Sequence, residues 1–271
     1  MRVSELRGAL EGALGPIYRV EREVRPVGEC RLFVAVGPPA DPELLVKVLP
    51  AEVSLAVDGA VFERELLLLG DRLGHAQLVP PRGGGRAGAF VFHTRRFVDG
   101  TTLRAWLLNN GEMPLRRVIE VLRDVLLALA HAHRGSIAHG DLRPENVLLT
   151  KARVLVADTG IVDAVGRALP KDLAGSVGIA LCAPAYLAPE RRKDGGAAGP
   201  RDDMFAVGVL LHEMLTGELP AVVGEALDEV RSLPPWLAEL ARRCLTAEPA
   251  ARWPDAAAAL DAVGRSGAGT M

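Results

Sequence analysis

The sequence predicts an α+β protein with a β-rich N-terminal lobe and a helical C-terminal lobe, and three observations carry that prediction. From Tyr18 to about Pro50, short runs rich in Val, Leu and Phe are separated by Gly/Pro turns such as Gly37-Pro38-Pro39, which is the pattern of strands. After Gly100, apolar residues recur at helical spacing through segments 101–109, 114–134, 203–216, 235–246 and 254–264. The 271 residues, 49% of them hydrophobic, supply enough apolar side chains for one large or two modest cores. A β-rich first third followed by a helical remainder packs as two bodies with a cleft between them.

The elements follow in order. Residues 1–15 alternate apolar and charged positions at helical spacing and stop at Gly15-Pro16, so an N-terminal helical extension is expected. After the first strands, Asp58 to Leu73 reads as a helix whose apolar positions include Val61, Leu66, Leu68 and Leu69. Residues 78–98 return to strand character around Pro80 to Gly88, whose glycines predict a flexible hairpin loop. In the long helix 114–134, Leu122, Leu126, Leu127 and Leu129 form a core-facing stripe. Arg265 to Met271 reads as a disordered tail. The expected organisation is therefore 1–15 extension, 16–97 N-lobe, 98–264 C-lobe and 265–271 tail.

Composition excludes several functions. The formal net charge is −2, which provides no electrostatic reason for nucleic acid or an anionic membrane as partner. Aromatic residues make up only 4%, too few for base-stacking platforms. No apolar run approaches the roughly 20 residues that span a bilayer. The start, Met1-Arg2-Val3-Ser4-Glu5-Leu6-Arg7, lacks the apolar block of a signal peptide. Cys30, Cys182 and Cys244 are odd in number and far apart, which fits a reducing, cytoplasmic setting better than a disulfide framework. Only four of the 32 basic residues are lysine, at Lys47, Lys151, Lys171 and Lys193, so a lysine inside an apolar stretch calls for a reason.

The segment that carries chemistry is His139-Gly140-Asp141-Leu142-Arg143-Pro144-Glu145-Asn146, followed by the apolar run Val154 to Ala157 and then Asp158-Thr159-Gly160. Two carboxylates and an amide on loops beside short strands suit Mg2+, which takes a few such oxygens together with water and phosphate oxygens. The alternative is that Asp141 and Asn146 only satisfy turn backbone.

These residues do not stand alone, and the sequence resembles the protein-kinase family, in particular bacterial Ser/Thr kinases of the eukaryotic type. The catalytic-loop pattern matches at His139, Asp141, Leu142 and Asn146, the metal-binding D-F-G at Asp158-Thr159-Gly160, and A-P-E at Ala188-Pro189-Glu190. Lys47, in Leu44-Leu45-Val46-Lys47, matches the lysine of the third strand, and Glu65 matches its helix partner. Asp203 to Gly208 resembles the family's D-x-x-x-x-G helix, and Arg252 the arginine that pairs with Glu190. The matches run in family order from about residue 17 to residue 262.

The resemblance implies a bilobal protein-kinase fold, the cofactors ATP and Mg2+, and transfer of the γ-phosphoryl group to a protein Ser/Thr hydroxyl. It implies that Lys47, paired with Glu65, contacts the α- and β-phosphates. By the same resemblance Asn146 and Asp158 hold Mg2+, and Asp141 accepts the substrate proton. Gly28, Leu32, Leu45, Arg95 and Phe97 fall at nucleotide-pocket positions.

The departures from the family are informative too. On the alignment, the three glycines of the phosphate loop become Arg25, Val27 and Cys30, leaving only the neighbouring Gly28, with anionic Glu29 beside it. Side chains there should weaken the hold on phosphate. Leu45 stands where the family has alanine, and Arg95 stands at the back of the pocket. A buried guanidinium needs a partner, and Glu65 is the expected one, with Arg95 competing against Lys47 to hold an inactive arrangement. An exposed strand end at Arg95-Arg96 is the alternative. Gly140 replaces the arginine that docks a phosphorylated activation loop, Ala183 the threonine that braces the catalytic Asp, and Thr159 the D-F-G aromatic. Between Ile161 and Leu187 the hydroxyls are Ser176 and Tyr186, so loop phosphorylation is not the expected switch. His131 and His133 read as structural, and Cys182 as a small packing residue.

Three functions follow: an active Ser/Thr protein kinase, a pseudokinase acting as scaffold or allosteric regulator of a partner protein, and a small-molecule phosphotransferase, which only Gly140 favours. The full polar set of Lys47, Glu65, Asp141, Asn146 and Asp158 favours the first. No nucleic acid and no membrane are expected as partners, and the sequence leaves the oligomeric state unassigned.

Overall fold

The computed structural model describes residues 3–28, 30–175, 180–221 and 233–267. The expectations placed on Glu29, on Ser176 and on the tail beyond Gly267 lie outside the described residues.

Chain order is α1 (Val3–Leu14), β1 (Arg19–Val27), β2 (Cys30–Val36), β3 (Leu44–Val48), α2 (Ala51–Ala56), α3 (Gly59–Arg72), β4 (Leu78–Val79), β5 (Pro81–Ala87) and β6 (Phe90–Arg96). It continues with β7 (Thr101–Thr102), α4 (Leu103–Asn110), α5 (Leu115–Arg134), β8 (Val147–Leu149), β9 (Val154–Ala157), α6 (Ile161–Arg167), α7 (Pro189–Asp194), α8 (Pro200–Thr216), α9 (Pro235–Cys244) and α10 (Ala256–Gly267). The β-rich N-lobe and helical C-lobe of a protein-kinase fold are thus in place.

The N-lobe is an antiparallel sheet in the order β1-β2-β3-β6-β5. Register places Leu45 opposite Arg95 and Lys47 opposite His93 on β3 and β6. Alternate residues share a face of a strand, so Leu45, Lys47, His93 and Arg95 all point the same way. The stretch around Pro80 to Gly88 differs from its expectation. It is the edge strand β5, paired along its length with β6, and not a loop. One of its glycines serves close approach: a Cβ at Gly84 would meet Leu66 Cδ1 at 2.4 Å and Phe92 O at 2.5 Å. Composition signalled a turn, but α3 packed against this strand leaves no room for a side chain at Gly84.

The helix α1 caps the sheet. Leu6 and Leu10 are fully buried in one cluster with Phe33, Val46 and Phe92. Glu11 Oε1 accepts a hydrogen bond from Val20 N at 3.0 Å, tying α1 to the first strand. Asp58 starts α3 by accepting from Ala60 N and Val61 N at 2.9 and 3.0 Å, two otherwise orphaned helix donors.

In the C-lobe, α5 and α8 form the core. Val118, Val121, Leu122, Val125, Leu126 and Leu129 of α5 pack against an α8 buried from Asp203 through Leu215. The expected pair of Arg252 with Glu190 is bidentate, at 2.6 and 2.8 Å. Arg252 is 1% exposed and also donates to Thr246 O and Ala247 O, so its buried charge is met on several sides. A small second sheet, β4-β9-β8-β7, lies where the two lobes meet and carries the loops that flank the cleft.

Candidate active site

The loop after α5 is held from below by one carboxylate. Asp203 Oδ2 accepts from His139 N at 2.7 Å and faces His133 Nε2 at 2.8 Å, while Oδ1 accepts from Gly140 N at 3.0 Å. Burial alone would raise the Asp203 carboxyl, but the His133 hydrogen bond and the amides hold it below its ordinary range. His133 is therefore structural, as expected, and also accepts from Ala256 N at 3.2 Å. Gly140 has φ of 81°, in the left-handed region, so glycine here has a backbone reason.

This support aims Asp141 into the cleft. Asn146 Nδ2 donates to Asp141 O at 2.8 Å and to Asp141 Oδ2 at 3.3 Å. Ala183 N donates to Asp141 Oδ1 at 3.3 Å. The bracing expected of a threonine side chain thus comes from backbone, which residue identity could not reveal. Burial pushes the Asp141 carboxyl up, opposed by the charges of Arg143 and Lys47.

Across the cleft, Asp158 follows β9 with φ of 63°. Lys47 Nζ lies 2.8 Å from its Oδ2, and Arg95 Nε lies 3.4 Å from its Oδ1. The Arg95 contact is an ion pair without hydrogen-bond geometry, since Arg95 Nε and Asp158 Oδ1 both lack a hydrogen-bond partner among the described residues. Burial would raise the Asp158 carboxyl, but Lys47, then His93 and Arg95, hold it far below the carboxylate range. Burial works against the charge on Lys47, yet Asp158 beside it holds the ammonium above its usual value. His93, buried between these groups, is pushed down to about 4, chiefly by burial, and is neutral at pH 7. Thr159 is 2% exposed, and its hydroxyl has no partner among the described residues.

Two expected contacts do not form. Lys47 does not pair with Glu65, and Arg95 does not compete for Glu65. The reason is α6, which forms directly after Gly160 and packs on α3. Arg167 of α6 takes Glu65 Oε2 at 3.2 Å, and Arg64 lies 3.4 Å from Oε1. Lys47 and Arg95 turn to the remaining carboxylate, Asp158. Arg95 is buried and lines the cavity, so the exposed-strand-end alternative does not hold.

The cleft contains a cavity of about 440 Å3, a size that takes a nucleotide-scale ligand. Gly28, Leu32, Leu45, Lys47, Arg95, Phe97, Asn146 and Asp158 all border it. Glu65 does not, and Asp141 borders the adjoining space with Lys47, Arg143 and Ala183. Sequence reasoning missed Arg22, whose guanidinium lies 5.7 Å from the Phe97 ring centroid at the cavity wall. It also missed His93, although the two-residue spacing from Arg95 carried that signal. The knot of Arg104 with Glu145, Glu213 and Tyr186 was not legible either, because its members are far apart in sequence. It ties up the Tyr186 hydroxyl, and burial pushes that phenol far above its ordinary range. Cys182 donates to Gly140 O at 3.4 Å, and burial pushes its thiol up to about 12.

As a donor set for Mg2+ the residues fit. Asp158 Oδ1 is a buried, orphaned carboxylate oxygen, and Asn146 spends its Nδ2 on Asp141, leaving its amide oxygen for a hard cation.

The family profile described as protein kinase domain matches residues 46–261. The serine/threonine-protein kinase PknL of Mycobacterium tuberculosis (strain ATCC 25618 / H37Rv) is 37% identical over 203 residues, covering 69% of this chain and 50% of PknL. The serine/threonine-protein kinase PrkC of Bacillus subtilis (strain 168) is 26% identical over 207 residues, 75% of this chain and 31% of PrkC. The chain thus spans about half, or less, of the length of these curated relatives. Among solved structures, the M. tuberculosis PknI kinase domain matches with a TM-score of 0.71 at 22% identity, over 93% of this chain and 96% of that one. Rad53 1-466 in complex with AMP-PNP matches with a TM-score of 0.70 at 20% identity, over 91% and 65%. At such identities the structures speak for the fold.

Proposed function

The chain belongs to the protein kinase family, and from that premise we propose that it transfers the γ-phosphoryl group of ATP to a serine or threonine hydroxyl of a protein. One observation carries the reading: Asp141, braced by Asn146 and Ala183 N, opens to the same cleft as Lys47 and Asp158. The acceptor oxygen attacks Pγ, the bond from Pγ to the β–γ bridging oxygen breaks, and the acceptor proton goes to Asp141. A carboxyl raised by burial is a better proton acceptor than an exposed one. Lys47 is a compact ammonium suited to phosphate oxygens, which explains a lysine in an arginine-dominated chain. Asp158 and Asn146 would hold Mg2+, which supplies positive charge to the phosphates when bound. Leu32, Leu45 and Phe97 supply apolar walls for the base.

A second reading, a pseudokinase that regulates a partner protein, is favoured by the engagement of Lys47 with Asp158 and of Glu65 with Arg167. The small-molecule reading rested on Gly140, whose positive φ accounts for glycine without reference to substrate.

The test is transfer of label from γ-labelled ATP to the chain itself and to a generic basic protein, with Asp141→Ala as control. Label at least 100-fold above the Asp141→Ala background is expected. Nucleotide binding, read as a rise in melting temperature, together with transfer no greater than in Asp141→Ala, would select the pseudokinase.

A further inference from the structure

Asp158 carries more positive charge than one lysine would supply. Lys47 and Arg95 each approach one of its two oxygens, at 2.8 and 3.4 Å, and all three side chains are roughly nine-tenths buried. Register sets this arrangement, since Arg95 lies opposite Leu45 and two residues from His93 on the cleft face of β6. Among the described residues, the only hydrogen bond of the Arg95 guanidinium is a long one to Arg96 O, at 3.4 Å. A guanidinium has five donors, so most of its hydrogen-bonding capacity is unspent at the edge of a cavity it lines.

The charged residues on that cavity are Arg22, Lys47, Arg95 and Arg104 against Glu145 and Asp158. Arg104 is spent on Glu145, Glu213 and Tyr186, and His93 beside Lys47 is neutral. A ligand there meets net positive charge with no metal bound. A divalent ion on Asp158 Oδ1, at about 2.0–2.1 Å, would stand within roughly 5.5 Å of Arg95 Nε, which is ion-paired with the same oxygen. Like charges so close in a buried site repel strongly.

We propose that Arg95 is a resident cation of the nucleotide site: with Lys47 it counters the charge of Asp158 and offers its remaining N–H groups to phosphate oxygens, so the pocket holds a nucleoside polyphosphate without a divalent ion. This rests on the nucleotide reading of the cleft. The guanidinium does not take the ion's place in the transfer step. It lowers the metal requirement of binding and makes divalent ion and Arg95 compete for one carboxylate oxygen.

The experiment is calorimetric titration of the full chain with AMP-PNP, in EDTA and in excess Mg2+, for the wild type, Arg95→Met and Arg95→Lys. The wild-type Kd is expected to agree within threefold between the two conditions. In EDTA, Arg95→Met should lose at least tenfold in affinity and regain it in Mg2+, while Arg95→Lys stays within threefold of wild type. If Arg95→Met does not fold, the wild-type comparison and Arg95→Lys decide. A wild type that tightens tenfold or more on adding Mg2+, or an Arg95→Met unchanged in EDTA, overturns the proposal and leaves the phosphoryl-transfer reading standing. A wild type that binds under neither condition overturns both, and binding gained in Arg95→Met would then identify the arginine as a plug.

Discussion

Replacing Asp203 by asparagine should cost this protein about 3–5 kcal/mol, and the figure follows from three donors converging on one buried side chain. Asp203 is 1% exposed, with Oδ2 facing His139 N and His133 Nε2 and Oδ1 accepting from Gly140 N. Asparagine keeps a single acceptor oxygen. Placed at the Oδ2 position, it sets an NH2 group against the Gly140 N–H. One hydrogen bond to a charged acceptor disappears, worth about 1.5–3 kcal/mol, and a buried amide is left unpaired at about 1–3 kcal/mol more. At roughly 2–4 °C per kcal/mol for a chain of this order, the melting temperature should fall by about 6–20 °C. Urea denaturation should give a lower midpoint at unchanged slope, and transfer should fall with it because the same amides fix the loop bearing Asp141. A loss below about 1 kcal/mol would show that the carboxylate is not what holds the loop, and the reasoning would fail.

Two further perturbations separate other links of the argument. The buried His93 imidazole has its pKa depressed from 6.5 to about 4, so the unfolded chain takes up protons first as pH falls. Stability from this group is complete above pH 6.5 and drains away toward pH 4, by up to roughly 3 kcal/mol. His93→Gln should flatten that part of the stability–pH profile in urea titrations, and an identical slope in both proteins would refute the assignment. Leu10→Ala removes a fully buried side chain from the α1–sheet contact and should cost about 2–5 kcal/mol. Leu55→Ala, at a site 74% exposed, is the control that should stay within about 0.5 kcal/mol. Equal melting temperatures for the two variants would mean that α1 does not stabilise the sheet.

Much of this fold was legible because its signals are local. Helical periodicity located α1, α3, α5, α8 and α9, and the Gly/Pro punctuation located the first strands. The strand β5 was misread for an equally local reason, since glycine marks both turns and close approach, and only the packing of α3 decides between them. The helix α6 was not expected at all. Its seven residues, Ile161–Arg167, carry too little periodicity to show, and burial against Phe62 and Leu66 stabilises it. The candidate site was legible as a list of residues, because Lys47, Asp141, Asn146 and Asp158 occur in recognisable strings. How they pair was not legible.

By itself, the sequence determined the family, the order of the lobes and the side chains available to the cleft, because each of these is written in residue type and spacing along the chain. Tertiary structure alone decided which charge meets which. Glu65 and Arg167 are 102 residues apart, and Lys47 and Asp158 are 111 apart. Nothing along the chain ranks Glu65 above Asp158 as a partner for Lys47 or Arg95. That choice depends on where α6 packs, and a few ångströms of helix position outweigh any pairing that spacing can suggest, since the attraction between charges falls with separation and strengthens with burial.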